Sequence, residues 1–400
     1  MVNPLCISTL DLRFFHQGGI VTKAMVFARV ATAEGFSPFF LTPSVSLHRT
    51  LRRRLYFSSV PSVIKSNFQG YPCYQLGAQY PEFEFNAHRF KKHALKEVFS
   101  SPIPCFAVSG NNHAARPFLD MGLPFSVWPS TTFWEDCCDR VQNAPWSGRK
   151  VLDLLTKPIS EKLEHHVFVS AHQIAADSRY TAKQIFTLDS SLAYKTKLIP
   201  IPVDVRFFYP IATPSRQSLL FIGRVSDPRK NVILLLKAFE ECAQHRPNLH
   251  LTLVGPCDEA FYFIIRKHPF SERIHCTGLM SDRTQLRNLL QQALALIIPS
   301  FQEGFGAVGA ESLACGVPVI STPCGGPEDY VLHKQTGLLL KGFETKEMTE
   351  AILQISGDTS LRKRLAFHAR EFAVSNLSIE AVQPLLCEFI HSKLLDFSNF

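Results

Sequence analysis

The stretch Glu303-Gly-Phe-Gly-Ala-Val-Gly-Ala-Glu311 (EGFGAVGAE) lies between two apolar runs, Leu294–Pro299 and Val317–Ser321. Short continuous apolar runs bounded by Gly, Pro or Ser are typical of strands buried in a parallel sheet. Residues 307–314 between the runs have the pattern of a helix. The stretch therefore forms the turn of a strand–helix–strand unit, from which doubly wound α/β domains are built.

The same alternation extends along the second half of the chain. Further apolar runs predict strands at Ser218–Arg224, His250–Val254, Ile274–Thr277 and Gly337–Leu340. Helical patterns cover residues 231–244, 258–267, 282–292 and 346–355. Strands that alternate with helices in this way predict a parallel sheet with crossover helices.

The first half has a similar but less regular pattern, with helices after most of its strands. Strands are predicted at Pro4–Leu10, Pro38–Thr42, Pro104–Ser109, Pro124–Trp128 and Gln173–Asp177. The first helix, residues 20–33, follows two glycines whose small size lets a backbone approach a ligand.

The domain boundary is predicted in the proline-rich segment of residues 198–214, since proline breaks both helices and strands. The first domain then covers residues 1–203 and the second covers residues 204–377. Residues 378–400 belong to a tail that is helical from Ser360 onward. Two domains also suit the length, because 400 residues exceed what one hydrophobic core usually organises.

Composition and charge exclude several classes of protein. With 46% hydrophobic and 19% charged residues, the chain is globular rather than disordered or fibrous. The formal net charge of +8 indicates an anionic partner. Lys and Arg are spread in small groups without the interleaved aromatic residues of a single-strand-binding surface, so nucleic acid is not the expected partner.

The cysteines and the amino terminus indicate the compartment. Eleven cysteines without a C-x-x-C pair argue against a disulfide framework and favour a reducing cytoplasm. Neither Cys nor His shows the spacing of metal ligands, so no structural zinc is expected. The first residues lack the basic flank of a secretory signal, and no apolar run is long enough to cross a bilayer.

Two motifs overlap in EGFGAVGAE. Gly304, Gly306 and Gly309 fit the dinucleotide fingerprint G-x-G-x-x-G, and the acids Glu328 and Asp329 follow about 24 residues later, near the usual ribose-binding distance. However, that fingerprint belongs to the first strand–helix unit of its domain, whereas this one follows the fourth strand. The dinucleotide interpretation is therefore disfavoured.

The alternative is a pair of ligand-binding carboxylates. Glu303 is expected at the carboxyl end of its strand and Glu311 about one turn into the next helix. Carboxylates accept hydrogen bonds from sugar and ribose hydroxyls, and doubly wound sheets bind ligands at this edge. The amides of Phe305, Gly306 and Ala307 begin the helix, where an anionic phosphate is stabilised. Taken alone, either glutamate is more simply a solvated charge.

A second motif argues against the interpretation of Glu303 and Glu311 as solvated surface charges. Gly223-Arg224-Val-Ser-Asp-Pro-Arg-Lys230 also follows a strand and precedes a helix. Arg224 and Lys230 are thus expected at the same sheet edge as Glu303, where they can neutralise a diphosphate.

These residues resemble the donor-binding domain of the group 1 retaining glycosyltransferases, which have the GT-B fold. The resemblance runs through FIGRVSDPRKNVILLLKAF, LTLVG, the stretch from IHCTG to GGPEDYV, and QTGLLL. It implies an α/β protein with two doubly wound Rossmann-like domains facing a cleft. It also implies a C-terminal helix, residues 378–400, that returns to the first domain, and closure of the domains around the substrate.

The resemblance assigns roles to positions in this sequence. Arg224 and Lys230 are expected to bind the diphosphate, and Glu311 the ribose hydroxyls. Glu303, with the amides of Phe305, Gly306 and Ala307, is expected to hold the transferred sugar. Beyond these, backbone atoms near Leu279 are expected at the base, and Gly19 is expected to approach the phosphate from the first domain.

One family feature is missing from the expected position. Many members carry a His after a strand of the first domain, but PFSVWPSTTFWED contains none. His113, after the preceding strand, is a candidate catalytic residue, although a helix-start or surface role is the simpler interpretation. His16 is a weaker candidate, and Arg229 leaves open which cation takes the phosphate role beside Lys230.

The expected activity is transfer of a hexosyl unit from a UDP- or GDP-linked sugar to a saccharide or lipid-linked hydroxyl, with retention of configuration, as in polysaccharide biosynthesis. No two Asp residues stand two apart, so cations and a helix start are expected to replace a metal ion, and no cofactor is expected. A sugar-nucleotide epimerase, a phosphorylase or an inactive nucleotide-sugar-binding protein of the same fold are the alternatives. Basic charge with 33 Phe is compatible with peripheral contact to the inner face of a membrane. The donor sugar, the acceptor and the oligomeric state are left open.

Overall fold

The structure, a computed structural model, describes residues 3–10, 19–44, 63–79, 83–135, 148–212 and 217–392. The chain forms two compact units. Unit 1 comprises residues 1–200 and 383–400, and unit 2 comprises residues 201–382. His16 and the end of the tail lie outside the described residues.

Unit 1 is built on an eight-stranded sheet with the order β3-β4-β2-β1-β5-β6-β7-β8. The strands are Asn3–Ser8 (β1), Phe36–Pro43 (β2), Val63–Phe68 (β3), Tyr71–Leu76 (β4), Cys105–Ser109 (β5), Phe125–Pro129 (β6), Ile174–Ala176 (β7) and Thr196–Leu198 (β8). β3 is antiparallel to β4, whereas the other pairings are parallel. Chain order reverses between β1 and β5, which makes their carboxyl ends the switch point of this sheet.

The five strands predicted in this half are present, but three others have no counterpart in the prediction. β3 and β4 form a hairpin whose turn residues, Gln69 and Gly70, have φ angles of 50° and 93°. Positive φ at both turn positions suits a tight hairpin, and the polar residues of β3 suit an exposed edge. An edge strand buries little apolar surface, so its sequence lacks the apolar run that revealed the central strands.

Helices connect most of the strands of the first sheet. They are Gly19–Ala33 (α1), Lys92–Val98 (α2), Arg116–Met121 (α3), Gly148–Ser170 (α4) and Arg179–Leu188 (α5). α1 begins at the glycine predicted to approach a phosphate, and its buried face includes Phe27, which packs against Phe106 and Trp128. Lys23 on the same helix forms a fully buried ion pair with Asp177, at 2.8 Å, immediately after β7.

Unit 2 has a six-stranded parallel sheet with the order β11-β10-β9-β12-β13-β14. The strands are Ser218–Ile222 (β9), His250–Val254 (β10), Ile274–Gly278 (β11), Ala293–Ile298 (β12), Val319–Ser321 (β13) and Gly337–Leu339 (β14). Every strand predicted in this half is present, because the central strands are buried and read as continuous apolar runs, while β11 at the edge exposes His275 and Thr277.

The strand order of unit 2 determines where its site lies. β9 pairs with β10 on one side and with β12 on the other, although β12 comes much later in the chain. The loops after β9 and β12 therefore leave the sheet side by side at its switch point. These are the two loops that carry the predicted cations and Glu303.

The helices of unit 2 follow the predicted alternation. They are Val232–His245 (α6), Glu259–Arg266 (α7), Arg283–Gln292 (α8), Ala307–Ala314 (α9), Thr345–Gly357 (α10), Thr359–Phe372 (α11) and Ile379–His391 (α12). Two buried clusters fill the space between helices and sheet, one around Leu235 and Ile352 and the other around Leu313 and Tyr330.

The last helix is shared between the units. α12 begins in unit 2, and its residues from Gln383 onward group with unit 1. Within unit 1, Phe389 packs against Phe27 and Phe106, and the His391 ring nitrogen lies 2.7 Å from the Glu34 carboxylate. The two doubly wound α/β domains and the returning C-terminal helix were thus predictable from the sequence.

Candidate functional site

The loops after β9 and β12 meet through a buried ion pair. Lys230 Nζ lies 2.5 Å from Glu303 Oε1, and the Ser300 hydroxyl donates a 2.7 Å hydrogen bond to the same oxygen. The Lys230 and Glu303 side chains are only 15% and 13% exposed. The backbone amide of Phe301 also donates to the Arg229 carbonyl at 2.8 Å, so main-chain atoms hold the loops together as well.

The environment keeps Glu303 ionised. Burial acts to raise the pKa of the Glu303 carboxyl, but the charge and hydrogen bond of Lys230, with the hydrogen bond from Ser300, outweigh it. The pKa therefore lies below its ordinary value, and the carboxylate is available as an acceptor for hydroxyl groups at neutral pH.

Arg229 and Arg224 have different surroundings from Lys230. Arg229 Nη1 donates a 3.2 Å hydrogen bond to Gln302 Oε1 and thus supports the β12 loop. The Arg224 side chain is 61% exposed and pairs with Asp227 at 2.7 Å. Of the two cations predicted to bind the diphosphate, Lys230 contacts Glu303, whereas Arg224 extends into solvent from the same loop.

Glycines allow the chain to fold tightly around Glu303. The Glu303 amide donates to the Cys324 carbonyl at 2.7 Å, and the Gly326 amide donates to the Glu303 carbonyl at 2.8 Å. A Cβ on Gly326 would lie 2.2 Å from the Gly304 carbonyl oxygen. The close contact of these two backbone segments therefore requires glycine at position 326.

The start of α9 is shaped by Gly306 and Tyr330. Gly306 caps the helix with φ 73°, a left-handed conformation that favours glycine. The Tyr330 hydroxyl donates a 2.6 Å hydrogen bond to the Gly306 carbonyl, and its ring packs on buried Phe305. Glycine offers no side-chain acceptor to the first amides of the helix, which suits this helix start to an anion.

Glu311 lies on α9 beyond the helix start and is paired with an arginine of α8. Arg283 Nη2 donates a 3.1 Å hydrogen bond to Glu311 Oε1, and the glutamate side chain is 10% exposed. Burial raises the pKa of Glu311 above its ordinary value, and Arg283 offsets this only in part. Leu279, predicted near the base, is 78% exposed after β11.

The two site residues predicted in unit 1, Gly19 and His113, lie in different surroundings. Gly19 begins α1, as expected for a residue at a helix start. His113 is buried: its ring stacks on Phe133, and Nε2 lies 3.3 Å from the Ser160 carbonyl. Burial lowers the pKa of His113 to about 3, so the ring is neutral at physiological pH. These contacts favour the helix-start interpretation of His113 over catalysis.

Glu328, one of the acids considered for a dinucleotide site, makes a contact within its own loop. The Glu328 carboxylate accepts a 2.9 Å hydrogen bond from the Gly325 amide, so it caps a short helical turn at residues 326–329. Ser300, Arg283, Tyr330 and Gly326 were not predicted as site residues. Ser300 follows β12, Arg283 begins the helix after β11 and Gly326 begins the helical turn after β13, so these three had a signal in their position, whereas Tyr330 ends that turn and had none.

Comparisons with known proteins identify this part of the molecule. Residues 211–372 match the model of the family described as glycosyl transferases group 1. This segment, which is less than half of the chain, is therefore similar to the group 1 glycosyl transferases. The family resemblance noted in EGFGAVGAE and FIGRVSDPRKN is therefore confirmed.

Curated relatives match this chain over part of their length. A D-inositol 3-phosphate glycosyltransferase of Pseudarthrobacter chlorophenolicus is 28% identical over 220 residues, which cover 50% of this chain and 51% of the relative. The chain thus spans about half the length of the curated relatives it matches.

Solved structures match over nearly the whole chain. A sucrose-phosphate synthase from Thermosynechococcus elongatus has a TM-score of 0.75 at 18% identity, with 98% of this chain and 100% of that chain covered. Anabaena Alr3699/HepE in complex with UDP-glucose has a TM-score of 0.68 at 16% identity, with 97% and 100% covered. At such identities the likeness concerns the fold, and the predicted GT-B fold is confirmed.

Among the described residues, no group of three or more His, Cys, Asp or Glu is arranged to hold a metal ion. Within the same residues, no helix has both the length and the apolar character needed to cross a membrane.

Proposed function

We propose that this glycosyl transferase moves a hexosyl unit from a UDP- or GDP-linked sugar to a hydroxyl of a saccharide or lipid-linked acceptor, with retention of configuration. The observation that carries the proposal is the Lys230–Glu303 pair beside the start of α9. It combines a cation for a diphosphate, a carboxylate for a sugar and a helix start for an anion within one small region.

Each residue has a defined task in this proposal. Lys230 and Arg224 neutralise the diphosphate, and the amides of Phe305, Gly306 and Ala307 donate hydrogen bonds at the helix start. Glu303 accepts hydroxyl protons of the transferred sugar and holds it in place. Binding of the diphosphate shares the Lys230 ammonium between the donor and Glu303, since an ammonium has three donors.

The leaving group is the main energetic problem of the reaction. As the anomeric carbon becomes cationic, negative charge develops on the departing diphosphate. Fixed cations and helix amides in a partly buried site stabilise that charge without rearrangement. We therefore expect no metal ion and no cofactor. The family resemblance supports retention, with the acceptor attacking from the face that the diphosphate leaves and giving its proton to a diphosphate oxygen.

Other observations bear on the donor and the compartment. A solved structure of similar fold contains UDP-glucose, which supports a UDP-linked hexose as the first donor to test. Among the described residues nine cysteines are free, which supports the reducing cytoplasm predicted from the sequence.

A second candidate function is nucleotide-sugar binding without transfer. The observation that favours it is the burial of His113, because no acceptor can reach that ring in this conformation. An epimerase of the same fold is the remaining alternative, in which the donor reacts without an acceptor.

A donor screen tests the proposal. Release of UDP or GDP is measured for a panel of nucleotide sugars, with and without saccharide and lipid-linked acceptors, in EDTA and in Mg²⁺. We expect release that requires an acceptor and is unchanged by EDTA. Binding without release in any combination would refute transfer, release or isomerisation without acceptor would indicate the alternative enzyme, and loss of activity in EDTA would contradict the metal-free mechanism.

A peripheral membrane contact forms part of the proposal for the acceptor. α4 exposes an apolar stripe formed by Val151, Leu154, Leu155, Pro158 and Ile159. These residues repeat at three and four positions, so they share one helix face, and Leu155 is 72% exposed. The helix also carries Lys150, Lys157 and Lys162, which complement anionic lipid headgroups.

Vesicle sedimentation tests that contact. We expect the protein to pellet with phosphatidylglycerol vesicles and to remain in solution with phosphatidylcholine vesicles. The double variant Leu155→Ser/Ile159→Ser is expected to lose most of this binding, because the apolar area it removes drives insertion. Phe263→Ser, an exposed apolar residue of unit 2, serves as control. Equal pelleting of the α4 variant and the wild type would contradict the assignment, as would dimerisation through this face in light scattering.

A further inference from the structure

Arg283 stands at a position that connects three segments of unit 2. It is the first residue of α8, and the Asp282 side chain before it caps the helix by accepting a 2.8 Å hydrogen bond from the Thr284 amide. From there, Arg283 Nη2 reaches Glu311 Oε1 on α9 at 3.1 Å. The two residues are 28 positions apart in the chain, so this contact depends on how α8 crosses the sheet.

Aromatic side chains hold the Arg283 guanidinium from the other side. Its centre lies 5.2 Å from the Phe208 ring and 5.8 Å from the Phe207 ring, within cation–π range. Phe208 is fully buried, and its carbonyl accepts a 2.8 Å hydrogen bond from Arg370 Nη1. The aromatic segment is therefore anchored independently, and Arg283 is oriented toward Glu311 by packing as well as by charge.

Arg287, one helical turn further along, has similar packing without contact to the glutamate. Its guanidinium lies 4.9 Å from the Phe207 ring and 5.1 Å from the Tyr209 ring. The Tyr209 carbonyl accepts a hydrogen bond from Gln291 at 2.6 Å, which ties the same segment to α8. The chain thus contains two neighbouring arginines in matched surroundings, of which Arg283 is the one bonded to Glu311.

We propose that Arg283 is a positioning residue for the nucleotide part of the donor, which it serves by holding the Glu311 carboxylate in the orientation that accepts the ribose hydroxyls. The inference rests on the proposed function, in which Glu311 binds the ribose. Arg283 itself acts through Glu311 and does not contact the donor.

The stoichiometry of hydrogen bonds permits both contacts. A carboxylate offers about four lone-pair sites, so one bond from Arg283 leaves capacity for two hydroxyl donors. A protonated carboxyl would lose part of this capacity. Loss of Arg283 therefore removes both the orientation of Glu311 and the charge that favours its ionised form.

The groups that face Glu311 define its titration. Arg283 approaches from α8, and Cys315 follows the last residue of α9, with Arg287 and Arg370 close to that thiol. Burial raises the pKa of Glu311 and Arg283 opposes the rise, so removing Arg283 leaves burial unopposed. The fraction of ionised Glu311 then falls as the pH decreases toward that raised pKa.

Nucleotide affinity measured by calorimetry tests the inference. UDP and GDP are compared with their 2′,3′-dideoxy forms, which keep the diphosphate and the base but lack the ribose hydroxyls. For Arg283→Met we expect the affinity for the ribose form to fall about 10- to 100-fold, since a hydrogen-bonded charge is lost. The affinity for the dideoxy form is expected to stay at the wild-type value. Arg287→Met is the matched control and is expected to bind both forms as the wild type does.

The pH profile gives a second readout that a merely structural effect would not produce. The ratio of the affinities for the ribose and the dideoxy forms is expected to fall more steeply with decreasing pH for Arg283→Met than for the wild type, since the titration of the phosphate is common to both forms. Arg283→Lys keeps the charge and is expected to show a smaller loss with the wild-type pH profile, and it replaces the methionine variant if that variant does not fold.

The outcomes separate this inference from the function on which it rests. If the wild type binds neither UDP nor GDP, the proposed function fails. If the wild type prefers the ribose form and Arg283→Met keeps that preference, the positioning role is wrong although the function stands. An equal loss of both forms would also overturn the role, because it would indicate a general disturbance of the site.

Discussion

Replacing Lys230 with methionine is expected to lower turnover of the nucleotide sugar by about 100- to 1,000-fold. The ammonium is the buried cation of the site, and loss of a single group that stabilises transition-state charge commonly lowers the rate 100- to 1,000-fold. Its absence also leaves Glu303 buried beside Ser300 without its cation. Initial rates with the preferred donor and acceptor measure the effect.

The same variant is expected to lose stability, by about 3–5 kcal/mol, because breaking a buried pair leaves one charge uncompensated. The double variant Lys230→Met/Glu303→Gln removes both charges and is expected to be more stable than Lys230→Met while remaining inactive. A double-mutant cycle from thermal unfolding gives the coupling. Lys346→Met, at an exposed position in α10, is the control for loss of a lysine.

The pH dependence of that stability follows from the pKa of Glu303. In the wild type, Lys230 holds this pKa below its ordinary value, so the ionised pair stabilises the fold above the unfolded pKa. Without Lys230, only the Ser300 hydrogen bond and the Arg229 charge oppose burial, so the pKa of Glu303 rises and ionisation stabilises the fold less. The melting temperature of Lys230→Met should therefore fall further below that of the wild type as the pH rises through the ordinary carboxyl pKa of 4.5. A constant difference would show that Glu303 is not the group affected.

Replacing Gly326 with alanine is expected to lower activity about 100-fold and stability by about 1–3 kcal/mol, as overpacking does. The new Cβ would lie 2.2 Å from the Gly304 carbonyl oxygen and 2.5 Å from Phe305 Cα. Both neighbours are backbone atoms, so relief requires the loop that carries Glu303 to move. Donor affinity, turnover and thermal unfolding report the displacement.

Gly342→Ala is the matched control for this substitution. A Cβ at Gly342 meets no atom within 4 Å, so that variant is expected to behave as the wild type. If Gly326→Ala were as active as Gly342→Ala, the close packing of the two backbone segments would not be needed for the site.

Much of unit 2 was predictable because its strands and loops are marked by residues that are neighbours in the sequence. Each strand is an apolar run, and each run ends where a loop with Gly, Pro or Ser begins. Parallel strands direct their carboxyl ends to one edge, so the common location of Lys230 and Glu303 followed from the strand pattern. The roles assigned to these residues remain predictions.

Unit 1 was less predictable because its edge strands bury little apolar surface. β3 has the polar sequence VIKSNF, and β8 has three residues, so neither produces a distinct apolar run. The surroundings of His113 depend on Phe133 and Ser160, which come from later segments of the chain. Its burial could not be read from the residues beside it.

The sequence by itself determined the alternation of strands and helices, the edge of the sheet that carries Lys230 and Glu303, and the resemblance of residues 211–372 to the group 1 glycosyl transferases. These properties depend on the periodicity of apolar residues and on short motifs. The tertiary structure alone decided that Lys230 pairs with Glu303 at 2.5 Å and that Arg283 pairs with Glu311 at 3.1 Å. The reason is that these contacts join loops and helices separated by crossovers, whose approach is determined by the packing of side chains across the sheet.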